Sequence, residues 1–254
     1  MNLLGHYVCA RHLTPPEQLG SVLGDLVPLY RRKVRLLPLT RAWERGAESD
    51  PRMTGLLKGV RYHFWVDSRF HRDPLFTDTA ARVGEALRRA GGGPGLKRFF
   101  PAHVLTEMFF DHLLMTGEPE LLGEFYGLFD ERAEALAARF VIRHPQADEE
   151  SFRRFVGLFL EERFLDAYRS YEGIVRRMQQ MLPRFRQRAL EPAEAEAAVA
   201  ELEAGKEATY GRLLQFVTSM RHADRARSEP AAETWPVGGG ARDGPGTRRP
   251  ANEP

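Results

Sequence analysis

A proline can open an α-helix but cannot continue one, and in this chain the prolines and glycine clusters stand at the edges of apolar-patterned stretches. Between those edges the β-branched alternation that marks a strand is scarce. That punctuation predicts a chain helical almost throughout. Thr14-Pro15-Pro16-Glu17 has the form of a capping box and opens a helix with Leu19, Val22, Leu23, Leu26 and Val27 on one side. Asp50-Pro51 opens a second, running to about Arg72. Asp73-Pro74 or Asp78 opens a third, which ends in Arg88, Arg89 and the stop Gly91-Gly92-Gly93-Pro94-Gly95. Further helices are expected from Pro101 to Met115, from Pro119 to just before His144-Pro145, from Asp148, and from Pro192, with aromatic-rich stretches continuing to Pro183. No internal repeat and no Gly-rich phosphate loop is present. The expected architecture is one all-α bundle over residues 1–222.

From Ala223 the composition changes. That stretch holds five basic and five acidic residues, five prolines and a GGG run, with Trp235 and Val237 nearly alone as apolar residues. So little apolar surface cannot offset the entropy of ordering, and residues 223–254 are expected to form a disordered tail.

Charge and cysteine content narrow the function. Lys plus Arg number 37 against 35 Asp plus Glu, a net charge of +2, which argues against a nucleic-acid-coating protein. One cysteine, Cys9, excludes an internal disulfide framework and a zinc ribbon, and reads as a small core residue. No apolar run approaches the ~20 residues of a membrane helix, and the start lacks the basic segment of a signal peptide. A soluble, cytoplasmic protein without a membrane partner is expected.

Titratable residues gather in rows. His63, Asp67 and His71 are spaced i, i+4, i+8, which on a helix puts them on one face. His103, Glu107 and Asp111 repeat the spacing, with His112 beside them, and both rows are embedded in apolar residues. His6 and Asp25 have similar apolar neighbours. A His–Asp pair at i, i+4 also occurs as a surface ion pair, and the second row alone also reads as a solvated stripe. Buried carboxylates, however, need a partner, and several such rows facing one another point to a metal site inside a helix bundle. His12, His103, His144 and His222 lie near helix ends or amphipathic edges and read as structural. The basic runs Arg31-Arg32-Lys33-Val34-Arg35 and Arg176-Arg177 read as solvated helix surface.

Four blocks in order resemble the bacterial acyl carrier protein phosphodiesterases, a divergent branch of the HD-domain metal phosphohydrolases. They are MNLLGH; GSVLGDLV with Gly20 and Asp25; GVRYHFWVD with Gly59, His63 and Asp67; and LTEMFFDHLL with Asp111 and His112. A weaker likeness follows in RFLDAYRSYEGIVRRMQQMLPRF. The resemblance implies an HD-like helical domain that removes the 4′-phosphopantetheine arm from holo-acyl carrier protein, with a divalent metal, Mn2+ or Mg2+. By position it implies His63, Asp67 and Asp111 as metal ligands, with Asp25 and His6 completing the shell or placing water. His71 and Glu107 are second candidates. Asp25, His63, Asp67 and Asp111 would carry catalysis.

The chain departs from the family pattern at four places. His71 stands for a second aspartate, Glu107 for an aspartate, Phe64 for an arginine and Ser21 for an asparagine. Exchanging Asp for His moves a site towards softer ions. Because carrier proteins are acidic, a basic helix is the expected docking surface. Arg31, Arg32, Lys33 and Arg35 are the first choice, and Arg88, Arg89, Lys97 and Arg98 the second. Two other functions fit the same residues: hydrolysis of a small free phosphoester, and a non-catalytic helical binding module.

Overall fold

The computed structural model describes residues 2–46, 50–91 and 99–227, and among these there are helices and turns but no strand. Eleven α-helices follow in order: α1 Leu3–Ala10, α2 Pro15–Tyr30, α3 Leu36–Arg45, α4 Pro51–Phe70, α5 Pro74–Arg89, α6 Phe99–Gly117, α7 Leu121–Gly127, α8 Glu131–Val141, α9 Glu149–Glu162, α10 Tyr171–Met181 and α11 Pro192–Arg227. The 3₁₀ turns Phe164–Arg169 and Leu182–Phe185 flank α10.

The starts are set by local chemistry. Glu17 accepts from the Thr14 amide at 2.9 Å and from its hydroxyl at 2.7 Å. Asp50, Asp73 and Asp148 each accept an amide of the first turn they precede, at 2.8–2.9 Å. Pro28 departs from the edge pattern, standing inside the last turn of α2.

Four expectations need correction. The stretch from Pro119 to His144 holds two helices, because Asp130 caps a new one by accepting from the Ala133 amide at 2.7 Å. An additional helix, α3, lies between Tyr30 and Asp50 and buries Leu36, Leu39 and Trp43, whose indole donates to the Phe140 carbonyl. The run Arg31–Arg35 is the connection between α2 and α3, not helix surface, although Arg31, Arg32, Lys33 and Arg35 are exposed as expected. At the C-terminal end, α11 continues through Arg227, so residues 223–227 are helical. The rest of the expected tail, 228–254, lies outside the described residues.

The centre of the fold is α1, all eight residues of which are buried. It lies against α2, α4, α6, α7 and α11. A helix this short is not stable alone, and its end groups cannot reach water. Distant side chains satisfy them instead. Asp111 on α6 accepts from the Gly5 amide at 2.9 Å and the Leu4 amide at 3.4 Å. At the other end Arg221 on α11 donates to the Val8 carbonyl at 2.6 Å, and the Tyr62 hydroxyl donates to the Cys9 carbonyl at 3.1 Å.

α2 and α4 form the most extensive helix pair, and they touch backbone to backbone. A Cβ on Gly20 would lie 2.1 Å from the Leu56 carbonyl oxygen, and one on Gly59 would lie 2.0 Å from that of Glu17. Gly59→Ala must therefore push the two helices apart, and it should lower unfolding stability by about 1–3 kcal/mol or more. Gly157→Ala, at an exposed position in α9 with open space around it, should raise stability by up to about 1 kcal/mol. Denaturant titration of the two variants checks the contrast; equal effects would refute the close crossing.

Candidate metal centre

The close crossing of α2 and α4 sets Asp25 opposite the polar face of α4, where His63 and Asp67 stand one turn apart. His63 packs so tightly on α2 that a Cβ at Gly24 would fall 2.1 Å from its Nε2. Its Nδ1 lies 3.0 Å from the Ser21 carbonyl oxygen, an acceptor that keeps the proton on Nδ1 and leaves the Nε2 lone pair free. His6, in the middle of α1, meets His63 ring to ring at 3.9 Å.

His6 is fully buried, and neither of its ring nitrogens has a hydrogen-bond partner. Oδ2 of the half-buried Asp25 is likewise sealed from solvent and unpartnered. His6 Nε2 lies 3.8 Å from that oxygen and 3.7 Å from Oδ1 of Asp67. These gaps are too long for hydrogen bonds. Two ligands bound ~2.1 Å from one ion stand roughly 3.0–3.4 Å apart, so small movements would seat a cation between them. His6, Asp25 and His63 offer ligand atoms all within 4.8 Å of one another, and the donor set fits a divalent ion.

The protonation states agree with that use. Burial lowers the His6 and His63 imidazoles, His63 well below its ordinary value, so both are neutral near pH 7 and present lone pairs. Burial, reinforced by the charges of Glu107, Asp67 and Asp111, raises Asp25 well above the usual carboxylate range. For Asp67 burial acts upward, but the imidazoles of His6 and His71 outweigh it and hold the group ionised.

A second cluster lies at the adjoining end of α4. His71, the residue that caps that helix, directs Nδ1 to Oδ2 of Asp67 at 3.2 Å and Nε2 to Oε1 of Glu107 at 3.1 Å. His103, one turn before Glu107 on α6, reaches the same Glu107 oxygen with Nε2 at 3.3 Å. Asp67 thus faces both clusters, one oxygen to each. Burial acts upward on Glu107, but His103 and His71 hold it well below its usual range.

Of the residues expected at the site, His6, Asp25, His63 and Asp67 come together, and His71 and Glu107 stand next to them. Asp111 does not join either cluster: both carboxylate oxygens accept amides of α1, and the residue serves to hold His6 in place. His112 points elsewhere, its Nδ1 2.7 Å from the Tyr168 carbonyl oxygen. His12 pairs with Asp224 at 3.0 Å and His144 with the Gln146 amide, outside both clusters. His103, which reads from the sequence as structural, belongs to the second cluster; its i, i+4 relation to Glu107 carried the signal. Lys97 and Arg98 lie outside the described residues.

Inside this all-helical domain, among the described residues, His6, Asp25 and His63 form one group that could hold a metal ion, and His71, His103 and Glu107 a second. A family model described as acyl carrier protein phosphodiesterase matches residues 1–220, and the chain belongs to that family. The family name carries the activity of a phosphodiesterase and acyl carrier protein as its substrate. Comparisons with curated proteins and with solved structures find no match. No helix among the described residues is long and apolar enough to cross a membrane.

The Asp111 assignment has a pH signature. Burial, opposed by the Gly5 and Leu4 amides, pushes this carboxyl up to about 7. The folded protein then holds a proton that the unfolded chain releases near pH 3.9, so stability is lost as pH rises between those values, by an amount of order 4 kcal/mol. Asp111→Asn removes that loss. In denaturant titrations with chelator present, the variant should gain on the wild type between about pH 4 and pH 7. A difference independent of pH would refute the assignment.

Proposed function

We propose that the protein hydrolyses the phosphodiester joining 4′-phosphopantetheine to the serine of holo-acyl carrier protein, using a divalent cation held by His6, Asp25, His63 and Asp67. The observation that carries this reading is the set of sealed, unpartnered atoms, both His6 nitrogens and Asp25 Oδ2, in a member of the acyl carrier protein phosphodiesterase family. Burying polar atoms without partners is costly, and a cation between His6 Nε2 and Asp25 Oδ2 would remove the cost for those two together.

When bound, the ion would lower the pKa of a water and offset charge on the phosphoryl oxygens; Mn2+ and Mg2+ are the candidates. Water adds to phosphorus, the bond to the carrier serine oxygen breaks, and free phosphopantetheine and apo-carrier result. The residues prepare that step. Neutral His6 and His63 offer lone pairs without first losing protons. Ser21 and Gly24 fix the ring of His63. Ionised Asp67 contributes charge, and Asp25 gives up its proton as the cation arrives.

The scissile bond lies at the carrier end of the arm, so the carrier body must sit close to the site. Arg31 follows Asp25 by six residues, about 9 Å along α2. Arg31 itself is held by Asp148 at 3.0 Å, and Arg32 stacks on Phe185 at 5.2 Å. Together with exposed Lys33 and Arg35 they form a basic corner suited to an acidic partner.

Two tests follow from this reading. His63→Ala or Asp67→Ala should reduce loss of the phosphopantetheine mass from holo-carrier by at least about 1000-fold, equivalent to some 4 kcal/mol of transition-state stabilisation, with helix content unchanged. Full activity in either variant sinks the site. Arg32→Glu with Lys33→Glu should lower kcat/KM for the carrier about 10-fold or more and flatten its salt dependence, while sparing a small aryl phosphodiester. Equal loss on both substrates would place docking elsewhere, and turnover of the small diester without any carrier preference would favour a small-phosphoester hydrolase.

A further inference from the structure

We propose that His71, His103 and Glu107 form a second cation site, a three-ligand His2Glu centre suited to Zn2+, separate from the His6–Asp25–His63 cluster. Their ligand atoms all lie within 4.8 Å of one another. His71 Nε2 and His103 Nε2 approach one oxygen, Oε1 of Glu107, at 3.1 and 3.3 Å. Those separations match the roughly 3.0–3.4 Å between ligands that share an ion at ~2.1 Å.

The two imidazoles are stacked, centroids 4.8 Å apart and planes 29° from parallel, so both Nε2 atoms converge on Glu107. Phe76 stands edge-on to each ring at 4.8 Å and fixes the pair in that pose. Without an ion, each ring needs a proton on Nε2 to reach the same oxygen. His71 also needs one on Nδ1 to reach Asp67, which makes it an imidazolium stacked on a second N–H donor. With an ion, both Nε2 lone pairs and the carboxylate face one positive charge. The His71 Nδ1–H to Asp67 Oδ2 bond at 3.2 Å is then the outer carboxylate–histidine contact that orients a metal-bound imidazole.

Access and selectivity also fit. The side chains of His71, His103 and Glu107 are 29%, 27% and 17% exposed, so solvent reaches the site and a fourth position stays open to water. Two imidazoles with one carboxylate favour Zn2+ over Mg2+, which prefers all-oxygen surroundings. The inference does not rest on the carrier-protein reading.

The test is metal stoichiometry on the full chain. Protein stripped with chelator is dialysed against Zn2+ and counted by plasma mass spectrometry. Parallel samples with Co2+ are read for the visible bands of a four-coordinate N/O site. The wild type should hold two equivalents of Zn2+, and His103→Ala and His63→Ala one each, with the Co2+ band intensity falling in both variants. His103→Gln, which keeps side-chain bulk at this half-buried position, should match His103→Ala and separates ligand loss from misfolding. One equivalent in the wild type, abolished by His63→Ala and untouched by either His103 variant, overturns the second site and leaves the proposed function standing. One equivalent lost in both His103 variants and kept in His63→Ala establishes the second site and shows that the first does not take Zn2+. Wild-type protein that binds no Zn2+ overturns the second site and leaves the first, which is assigned to Mn2+ or Mg2+, standing.

Discussion

A neutral imidazole shut inside a helix bundle with neither nitrogen bonded is the constraint around which this protein is organised. His6 sits on a helix of eight residues, all of them buried, that could not exist apart from its surroundings. The neighbours supply what the helix lacks: Asp111 takes the amides at one end, and Arg221 and Tyr62 take carbonyls at the other. A side chain 106 residues away in sequence thus does the work of a local N-cap, since Asn2 makes no side-chain cap bond. Such bonds fix the rotation and depth of α1, and with them the point at which the His6 ring faces Asp25 and Asp67. The proposed cation would offset the cost of the bare ring at its Nε2.

The second organising element is the run of α4 past that ring. Its glycine contact with α2 lets the backbones approach until His63 lies on Gly24, where a methyl group would already collide. From there the i, i+4 spacing carries the polar face outward, from buried His63 to half-buried Asp67 and His71. Asp67 is the joint between the deep cluster and the outer one. His71 meets its carboxylate at 3.2 Å and helps to hold it ionised, while burial pushes Asp25 towards its neutral form.

Much of this is readable in the sequence because helical spacing is itself a geometric statement. Asp50-Pro51, Asp73-Pro74 and the rows on α4 and α6 place their side chains before any tertiary contact is known. The break at Asp130 was obscured because Gly127 and Leu128 interrupt no apolar pattern; only the cap bond to Ala133 reveals it. α3 was hidden by its basic lead-in and by Pro38. What spacing cannot supply is which member of a row turns inward at which partner. Asp111 shares a face with Glu107 and His103, yet it alone reaches the amides of α1, because α1 crosses α6 at that level. The row that reads as a ligand set is therefore divided between an anchor and a cluster, and His103 falls on the side of the cluster.

That division bears on the departures from the family pattern. A site losing its function accumulates substitutions that have no reason to meet. Here His71, standing where the resemblance places an aspartate, and Glu107, standing where it places another, touch each other, and His103 completes the contact from one turn away. The extra methylene of glutamate lets an α6 carboxylate meet both rings, while Phe76 packs against each of them. Replacing carboxylate with imidazole also lowers the negative charge beside Asp67, which would otherwise face two further acids at close range. Two of the four exchanged residues, His71 and Glu107, are bonded to each other, which supports reading them as a joint change in the chemistry of the proposed outer site rather than as its decay.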